Sequence, residues 1–321
     1  MRSVRRAVID VGSNSLLVVV AERGRDGWTP VLETSEVTAL GEQVKSTGSL
    51  GGDGMRRTLK ALASAFEAAR AAGAEPHAFG TMALRTADNA PEFRALAEAQ
   101  GTPVGVISGD EEAELGLRAA VEDPLFRNSV LISIVDVGGH STEVATSAHQ
   151  LAPSTRLTPS TRGVLRELKL VFRRSSAVGT LSLREGELSK ESPGPAELFR
   201  ASALIDDRFS FAYLPDKAGV TVALGATATN LVTIRDAITE WDPKRVHGAT
   251  LTFEEISGSV RRLSAMTDAE RAAVPGLERG RERTIHIGAL ILERALYALR
   301  VEECRVSVKG WRHAMLDRVA R

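Results

Sequence analysis

This sequence has little cysteine, few aromatic residues and no excess of charge of either sign. Its 321 residues include one cysteine, Cys304, which excludes an intrachain disulfide and a metal site built from several cysteines. Aromatic residues make up only 4% of the chain, so its cores must be formed mainly by Ala, Val, Leu and Ile. Lys+Arg and Asp+Glu number 41 each, a balance that argues against a protein that coats nucleic acid or a membrane surface.

Long apolar runs are also absent. None approaches the ~20 residues needed to span a bilayer. The Arg-containing start leads into only six apolar residues, Leu16 to Ala21, too few for the core of a signal peptide. We therefore expect a cytoplasmic protein with no membrane partner. At roughly 150 residues per domain the length predicts two domains, which we place at 1–125 and 126–321.

The first third of the chain alternates between β-rich and helical patterns. Three β-rich runs, Ala7–Val11, Leu16–Ala21 and Pro30–Thr38, precede a helix over Asp53–Ala72 whose apolar residues recur every three or four positions. A strand, a helix, a strand and a further helix follow, the last opening with an S-x-x-E capping box at Ser108. The order βββαβαβα predicts a mixed sheet covered by helices.

The rest of the chain is less regular. Residues 149–174, rich in Ser, Thr, Pro and Arg, predict a loop or an extended hairpin inserted into the second domain. A helix over Ala196–Tyr213, a strand over Gly219–Leu224 and a small-residue loop at Gly225–Thr229 are expected next. The predicted helices of the final third are Glu254–Leu263, Asp268–Val274, Ile285–Leu299 and Arg312–Val319, of which we expect the last to pack back on the first domain.

An internal repeat gives the strongest indication of architecture. The pattern Asp-Val-Gly-x-x-Ser occurs at Asp10–Ser15 and again at Asp136–Ser141, each time between two apolar runs. D-x-G alone is a common turn, but two copies in the same strand–turn–strand context predict two related domains that face each other across a cleft.

Turns rich in Gly, Ser, Asn and Thr offer free backbone N–H groups and hydroxyls, which suit phosphate oxygens. Asp10 and Asp136 each precede such a turn and are candidate Mg²⁺ ligands; the alternative is that each carboxylate caps its own turn. The three candidate phosphate turns are Gly12–Ser15, Gly138–Thr142 and Gly225–Thr229.

Hydrolysis also needs a group that orients or deprotonates water. In the acidic cluster that begins at Asp110, Glu111 is explained as the capping partner of Ser108, whereas Glu112 has no such role and is our candidate base. Its alternative is a solvated first-turn glutamate. Glu143 is a further metal candidate, and Arg85, between a strand and a helix, could reach an anion or form a surface ion pair. Arginines at 279, 281 and 283 could follow an anionic chain or simply be solvated.

Eight short segments occur in the order typical of one known family. They are AVIDVGSNS, GEQVKSTGSL, FGTMALRTADN, VISGDEEAEL, VDVGGHSTEV, SAVGTLSL, ALGATATNL and IHIGALIL. Together they resemble the Ppx/GppA family of exopolyphosphatases and guanosine pentaphosphate phosphohydrolases. The resemblance implies an α/β fold of duplicated ribonuclease-H-like domains around a central cleft, as in the actin-like and sugar-kinase superfamily, in the family's short two-domain form.

The resemblance also implies roles for individual residues. The family's proposed catalytic base falls on Glu112, its metal-associated acidic residues fall on Asp10, Asp136 and Glu143, and the arginine of its T-S-A-x-R segment falls on Arg85. Its phosphate-binding positions fall on Ser13, Asn14, Gly138, Gly139, Ser141, Thr142, Gly225 and Thr227.

The chain departs from the family pattern at four places. His140 replaces the third Gly of D-I-G-G-G-S, Ala226 replaces the second Gly of Gly-Gly-Thr, and Ser182 stands where many members have an arginine. The common G-L-R-E-G reads GWRHA at Gly310–Ala314. The acidic residues are retained while parts of the anion-binding loops differ, a difference that bears on substrate choice.

These observations predict a Mg²⁺-dependent hydrolase that releases the terminal phosphate of inorganic polyphosphate. The nearest alternative is hydrolysis of the 5′-terminal phosphate of guanosine pentaphosphate, with guanosine penta- or tetraphosphate as ligands, and the scarcity of aromatic residues favours polyphosphate. A non-catalytic polyphosphate or nucleotide sensor and a sugar- or acetate-kinase-like phosphotransferase are further alternatives. No nucleic-acid partner is expected, and a homodimer is common among the relatives.

Overall fold

The first sheet is formed by strands from the N-terminal third of the chain. The computed structural model describes residues 4–25, 27–148, 169–210 and 219–319. The strands are β1 (Arg5–Val11), β2 (Ser15–Gly24), β3 (Gly27–Val37), β4 (Pro76–Gly80) and β5 (Val104–Val106). Their order is β3-β2-β1-β4-β5, with β1 antiparallel to β2 and parallel to β4. The predicted mixed sheet is confirmed.

Helices cover this sheet in the predicted order, with two short additions at α1 and α3. They are α1 (Val44–Thr47), α2 (Gly52–Ala71), α3 (Met82–Thr86), α4 (Ala90–Ala99) and α5 (Gly109–Val121). The long helix α2 buries Met55, Leu62, Phe66 and Ala69, the face that its apolar spacing predicts. Ser108 caps α5 as expected, because its Oγ accepts the Glu111 N–H while the Glu111 carboxylate accepts the Ser108 N–H.

The second sheet repeats the arrangement of the first. Its strands are β6 (Leu131–Val137), β7 (Thr142–Ala148), β8 (Lys169–Ser176), β9 (Val220–Leu224), β10 (Thr250–Thr252) and β11 (Glu303–Val306). In the order β10-β11-β9-β6-β7-β8, the run from β8 to β11 has the same pairing pattern as β3 to β5. The sequence repeat therefore corresponds to a duplicated sheet, with β10 added at one edge.

The remaining helices show where the sequence expectations need correction. They are α6 (Thr180–Arg184), α7 (Pro195–Arg208), α8 (Gly225–Arg235), α9 (Pro243–Val246), α10 (Phe253–Ser264), α11 (Asp268–Ala272), α12 (Ile285–Leu299) and α13 (Trp311–Met315). The expected loop at Gly225–Thr229 is wrong, because these residues form the first turn of α8. The short strands β10 and β11 were not predicted. Of the expected insert, residues 149–168 lie outside the described residues and Lys169–Ser176 is strand β8.

Two helices lie where the sheets meet. On one side of α5, Ala113 and Leu117 pack against Ile132 and Ile134 of β6. On its other side, residues of α5 share an apolar cluster with β1 and α13; its fully buried members include Val8, Leu115, Trp311 and Leu316. The last helix therefore packs against the first sheet. Within the described ranges, no helix has the length and apolarity needed to cross a membrane.

Candidate active site

A cavity of about 870 Å³, measured with its open mouth, lies between the two sheets at the ends of β1 and β6. Most of the residues that the sequence singles out line it: Asp10, Ser13, Asn14, Glu112, Asp136, Gly138, Gly139, Ser141, Glu143, Gly225 and Thr227. Two others do not. The Thr142 hydroxyl does not face the cavity but donates to the Val178 carbonyl at 2.8 Å. Arg85 does not line the cavity either; it donates to Glu112, which does. The fold thus gathers residues from both repeats into one site.

The two repeated turns face each other across the cavity. A Cβ placed on Gly139 would lie 3.0 Å from the Ser13 Cβ, so the loops approach to van der Waals contact. The backbone N–H groups of Ser13, Asn14, Gly139 and Ser141 donate to no protein acceptor within the described part of the chain. These free donors can bind the oxygens of a phosphate group.

The third predicted turn contributes the start of α8. Gly225 has φ +76, and a Cβ at this position would lie 2.5 Å from the Asp136 Oδ1. Glycine is therefore needed twice over, for the left-handed backbone and for the approach of the Asp136 carboxylate.

Four carboxyl groups in the cavity have raised pKa values because burial disfavours their charged forms. Burial raises the pKa of Asp10 to about 7 and that of Asp136 to about 6, while the Arg312 guanidinium lowers both. Burial likewise raises the pKa of Glu112 to about 8, against the opposing charge of Arg85. Burial and the nearby Glu112 carboxylate raise the pKa of Glu143 well above its ordinary value. The positive charges beside these four carboxyl groups are too few to keep all of them ionised at neutral pH.

Glu112 is held by a neighbouring guanidinium. The Arg85 Nη1 donates to the Glu112 Oε2 at 3.0 Å and to the Ile107 carbonyl at 2.9 Å. Both side chains are largely buried, with 17% and 11% exposed. Arg85 therefore fixes the orientation of Glu112. On the other side of the cluster, the Ser175 hydroxyl donates to the Glu143 Oε1 at 2.6 Å.

Trp311 and Arg312, to which the sequence reasoning gave no site role, also line the cavity, together with Arg281, one of the arginines expected to follow an anionic chain or to be solvated. Arg281 is 7% exposed, and its Nη2 donates to the Ser15 Oγ at 3.0 Å. Arg312 and Trp311 line the cavity together with Asp10 and Asp136, and the Arg312 guanidinium lowers the pKa values of both carboxyl groups. The signals were present, since Arg281 belongs to a basic cluster and Trp311 and Arg312 to the altered GWRHA segment. Local spacing could not bring them to the cavity.

The carboxylates suit a cation that takes few protein ligands. The Asp10 Oδ1 is buried and accepts no hydrogen bond within the described ranges, so it is available to an ion. Among the described residues, no group of three or more His, Cys, Asp or Glu side chains converges to hold a metal. Mg²⁺ commonly uses one or two carboxylates, with water and phosphate completing its octahedral shell. The donor set fits Mg²⁺ better than it fits a fully protein-coordinated metal.

Known proteins share this architecture along the whole chain. Exopolyphosphatase 2 of Mycobacterium tuberculosis is 28% identical in an alignment that covers 100% of this chain and 98% of that protein. The crystal structure of the Aquifex aeolicus member of the Ppx/GppA family is 26% identical and has a TM-score of 0.76, covering 98% of this chain and 96% of its own. An exopolyphosphatase structure from Cytophaga hutchinsonii, 18% identical with a TM-score of 0.82 and covering 99% of each chain, shows the shared fold.

These similarities confirm the expected fold and the expected class of enzyme, a phosphate-releasing hydrolase. The model of the Ppx/GppA phosphatase family matches residues 18–321, nearly all of this sequence. The chain therefore belongs to the Ppx/GppA phosphatase family.

Proposed function

We propose that this protein is an exopolyphosphatase that hydrolyses the terminal phosphoanhydride of inorganic polyphosphate with the help of Mg²⁺. The observation that carries the proposal is the gathering of four buried carboxyl groups and two glycine turns with free N–H groups in one cavity. Relatives that match the whole chain are named exopolyphosphatases. The proposal also includes a cytoplasmic location and a homodimer, which fractionation and light scattering would test.

Charge balance supports a divalent cation. If Asp10, Glu112, Asp136 and Glu143 all ionise, they exceed by two the positive charges of the guanidiniums that face them, Arg85 and Arg312. Asp10 would hold the ion through its free Oδ1, with Asp136 and Glu143 acting through water. Bound there, Mg²⁺ would neutralise charge on the phosphate oxygens.

The turns and Arg281 would bind the terminal phosphate. The N–H groups of Ser13, Asn14, Gly139 and Ser141 surround the same space, and Arg281 adds a buried guanidinium beside the Ser15 hydroxyl. Donors fixed by the fold stabilise developing negative charge without reorganising during the reaction. They would also hold the phosphorus in line with the attacking water.

Glu112 would act as the general base. Its Oε2 accepts from Arg85, which leaves Oε1 to accept the proton of a water molecule. A pKa near 8 places the group close to neutral pH, where proton transfer by a carboxylate is most effective. In this arrangement Arg85 is a positioning residue that keeps Glu112 oriented and favours its charged form.

The cavity lining favours polyphosphate over a guanine nucleotide. Among the described residues that line it, Trp311 is the one aromatic side chain, and only 3% of it is exposed. A purine base is usually recognised by stacking on an aromatic face, and the lining offers none that is open. Guanosine pentaphosphate is the second candidate, because it presents the same terminal anhydride.

Phosphate release from long-chain polyphosphate in Mg²⁺ tests the proposal. Glu112→Gln keeps the size of the side chain and removes the base, so we expect kcat to fall about 10²- to 10⁴-fold with a smaller change in KM. Glu114→Gln is the matched control, because Glu114 lies on the same helix and pairs with Arg173 outside the cavity. Equal activity in Glu112→Gln and wild type would remove Glu112 as the base.

A parallel assay with guanosine pentaphosphate separates the two substrates. Faster turnover of the nucleotide would replace polyphosphate with the second candidate. Binding of polyphosphate without release of phosphate from either substrate, across several divalent cations, would support the sensor instead.

A further inference from the structure

Glu33 ends an otherwise apolar row across the first sheet. Val8 of β1 pairs with Val19 of β2, and Val19 in turn pairs with Glu33 of β3. Directly opposite residues in neighbouring strands share a face of the sheet. Val8 and Val19 belong to the apolar cluster that packs against α13. The Glu33 side chain is therefore directed toward α13.

Two donors of α13 meet this carboxylate at the same oxygen. The Arg312 Nη2 donates to the Glu33 Oε1 at 3.3 Å, and the His313 Nε2 lies 2.9 Å from that oxygen. The Gly310 N–H donates to the His313 Nδ1 at 3.0 Å, so Nδ1 carries no proton and the Nε2–H donates to Glu33. Burial lowers the pKa of His313 to about 4, so this ring is neutral near pH 7. Of the two donors, Arg312 alone is charged.

The rest of the Arg312 guanidinium has no protein acceptor. The residue lines the cavity, and 14% of its side chain is exposed. Its Nε is buried, and neither Nε nor Nη1 donates a hydrogen bond to a described residue. A Cβ on Gly310, which also lines the cavity, would lie 3.5 Å from Nη1, so this nitrogen lies at the cavity wall. Buried N–H groups without an acceptor are costly unless a ligand supplies one.

We propose that Arg312 is a substrate-binding residue whose free N–H groups bind a phosphate group in the cavity, and that Glu33 is the positioning residue that holds its guanidinium there. The inference rests on the proposed function, which brings the phosphate chain into this cavity. A guanidinium carries five N–H donors in a fixed plane, so one nitrogen can be held by a carboxylate while the others bind phosphate oxygens.

Glu33 also keeps the guanidinium from pairing with the carboxylates of the site. Burial raises the pKa values of Asp10 and Asp136, and the charge of Arg312 opposes this rise, yet Arg312 donates a hydrogen bond to neither carboxylate. Without its anchor on β3, the guanidinium would turn to these carboxylates, because a paired charge is more stable than an unpaired one in a buried site. Its N–H groups would then be unavailable to phosphate.

Calorimetric titration with methylenediphosphonate in Mg²⁺ tests the assignment, because the P–C–P link of this probe cannot be hydrolysed. Arg312→Ala removes the guanidinium, and we expect Kd to rise about 10- to 100-fold, as for the loss of charge-assisted hydrogen bonds. Glu33→Ala keeps the guanidinium but removes its anchor, and Kd should rise about 10-fold. Glu36→Ala is the matched control, because Glu36 is an exposed glutamate of the same strand. Its Kd should stay at the wild-type value.

Two further variants separate a positioning role from a merely structural one. Glu33→Gln retains an oxygen that can accept from Arg312 and His313, so Kd should return to within about threefold of the wild-type value. In an Arg312→Ala background, Glu33→Ala should change Kd less than about twofold, because no guanidinium remains to be held. Should Glu33→Ala melt early, Glu33→Thr removes the carboxylate with a residue that suits a strand.

Three results would overturn the inference. They are a wild type that does not bind the diphosphonate, an Arg312→Ala variant that binds it within about twofold of the wild type, and a Glu33→Ala effect of equal size with and without Arg312.

Failure of the proposed function gives a different result. Diphosphonate binding that depends on Arg312 and Glu33, with no phosphate released from polyphosphate in saturating Mg²⁺, contradicts the exopolyphosphatase activity and supports the binding role of Arg312.

Discussion

Gly12 and Gly138 occupy equivalent positions in the two halves of the protein. The Gly12 N–H donates to the Ser15 carbonyl at 3.0 Å, and the Gly138 N–H donates to the Ser141 carbonyl at 2.9 Å. At either glycine a Cβ would lie 2.8 Å from that carbonyl oxygen. The duplication seen in the sequence is thus preserved at atomic detail, and both turns exclude a side chain for the same steric reason.

Replacing Gly138 by alanine should destabilise the protein. The new Cβ meets a backbone carbonyl that cannot rotate away, so we expect the free energy of unfolding to fall by about 1–3 kcal/mol, as for other overpacked sites. Urea unfolding measures this. Gly52→Ala is the control, because nothing lies within 4 Å of its Cβ in helix α2 and alanine there should stabilise by about 0.4–1 kcal/mol. Equal effects of the two variants would contradict the steric explanation.

Removing the Arg85 guanidinium should move the pH dependence of activity. Glu112 must be ionised to act as a base, and Arg85 opposes the burial that raises its pKa to about 8. In Arg85→Ala the pKa rises further, so the acidic limb of the kcat/KM profile should shift to higher pH by about one unit or more.

Arg85→Lys should shift this limb less, because the charge remains. Arg173→Ala removes a guanidinium that pairs with Glu114 at 3.2 Å on the same helix, and its profile should match wild type. An unshifted limb in Arg85→Ala would mean that another group is the base.

Local sequence was informative where function depends on a turn or a cap. The two glycine turns followed from the repeat, and Glu112 followed because Glu111 is used by the capping box. Side-chain direction was harder to predict. Ser141 lines the cavity but Thr142, the first residue of β7, does not, since adjacent residues near a strand point to opposite sides.

Long-range packing explains most of what the sequence could not predict. Trp311 and Arg312 reach the cavity because α13 packs on β1 and α5, and no spacing within GWRHA encodes that packing. Arg85 on α3 pairs with Glu112 on α5, a partner 27 residues away that no local pattern identifies. The Glu112 carboxylate lines the cavity, whereas Arg85 does not.

His140 and Gly41 should be energetically coupled. A Cβ on Gly41 would lie 2.6 Å from the His140 Cε1 and 2.9 Å from the Ser13 Cβ. Gly41→Ala should therefore destabilise the wild type by about 1–3 kcal/mol, and less in a His140→Gly background, where one of the two close partners is gone.

A double-mutant cycle by urea unfolding measures this coupling, which we expect to be about 0.5–3 kcal/mol. Relief should be partial because the Ser13 contact remains. Additive effects of the two substitutions would show that the His140 ring does not occupy the space beside Gly41.

His286 should make the protein less stable in mild acid. It is fully buried, both ring nitrogens lack partners among the described residues, and burial together with the charges of Arg271 and Arg184 lowers its pKa to about 3. The unfolded chain takes up a proton below about pH 6.5, whereas the folded chain does not do so until about pH 3. The stability that neutral His286 provides is therefore present above pH 6.5 and is lost progressively as the pH falls toward 3.

His286→Leu removes this proton uptake and two unsatisfied nitrogens. From pH 7 to pH 5 the wild type should lose about 2 kcal/mol more unfolding free energy than the variant, because each proton bound only by the unfolded state contributes about 1.4 kcal/mol per pH unit. Urea unfolding at the two pH values gives the difference directly. His140 and the other histidines are present in both proteins, so their contributions cancel in the comparison. If the unfolding free energies of the two proteins change in parallel with pH, His286 takes up its proton as readily in the folded state as in the unfolded chain, and the prediction is wrong.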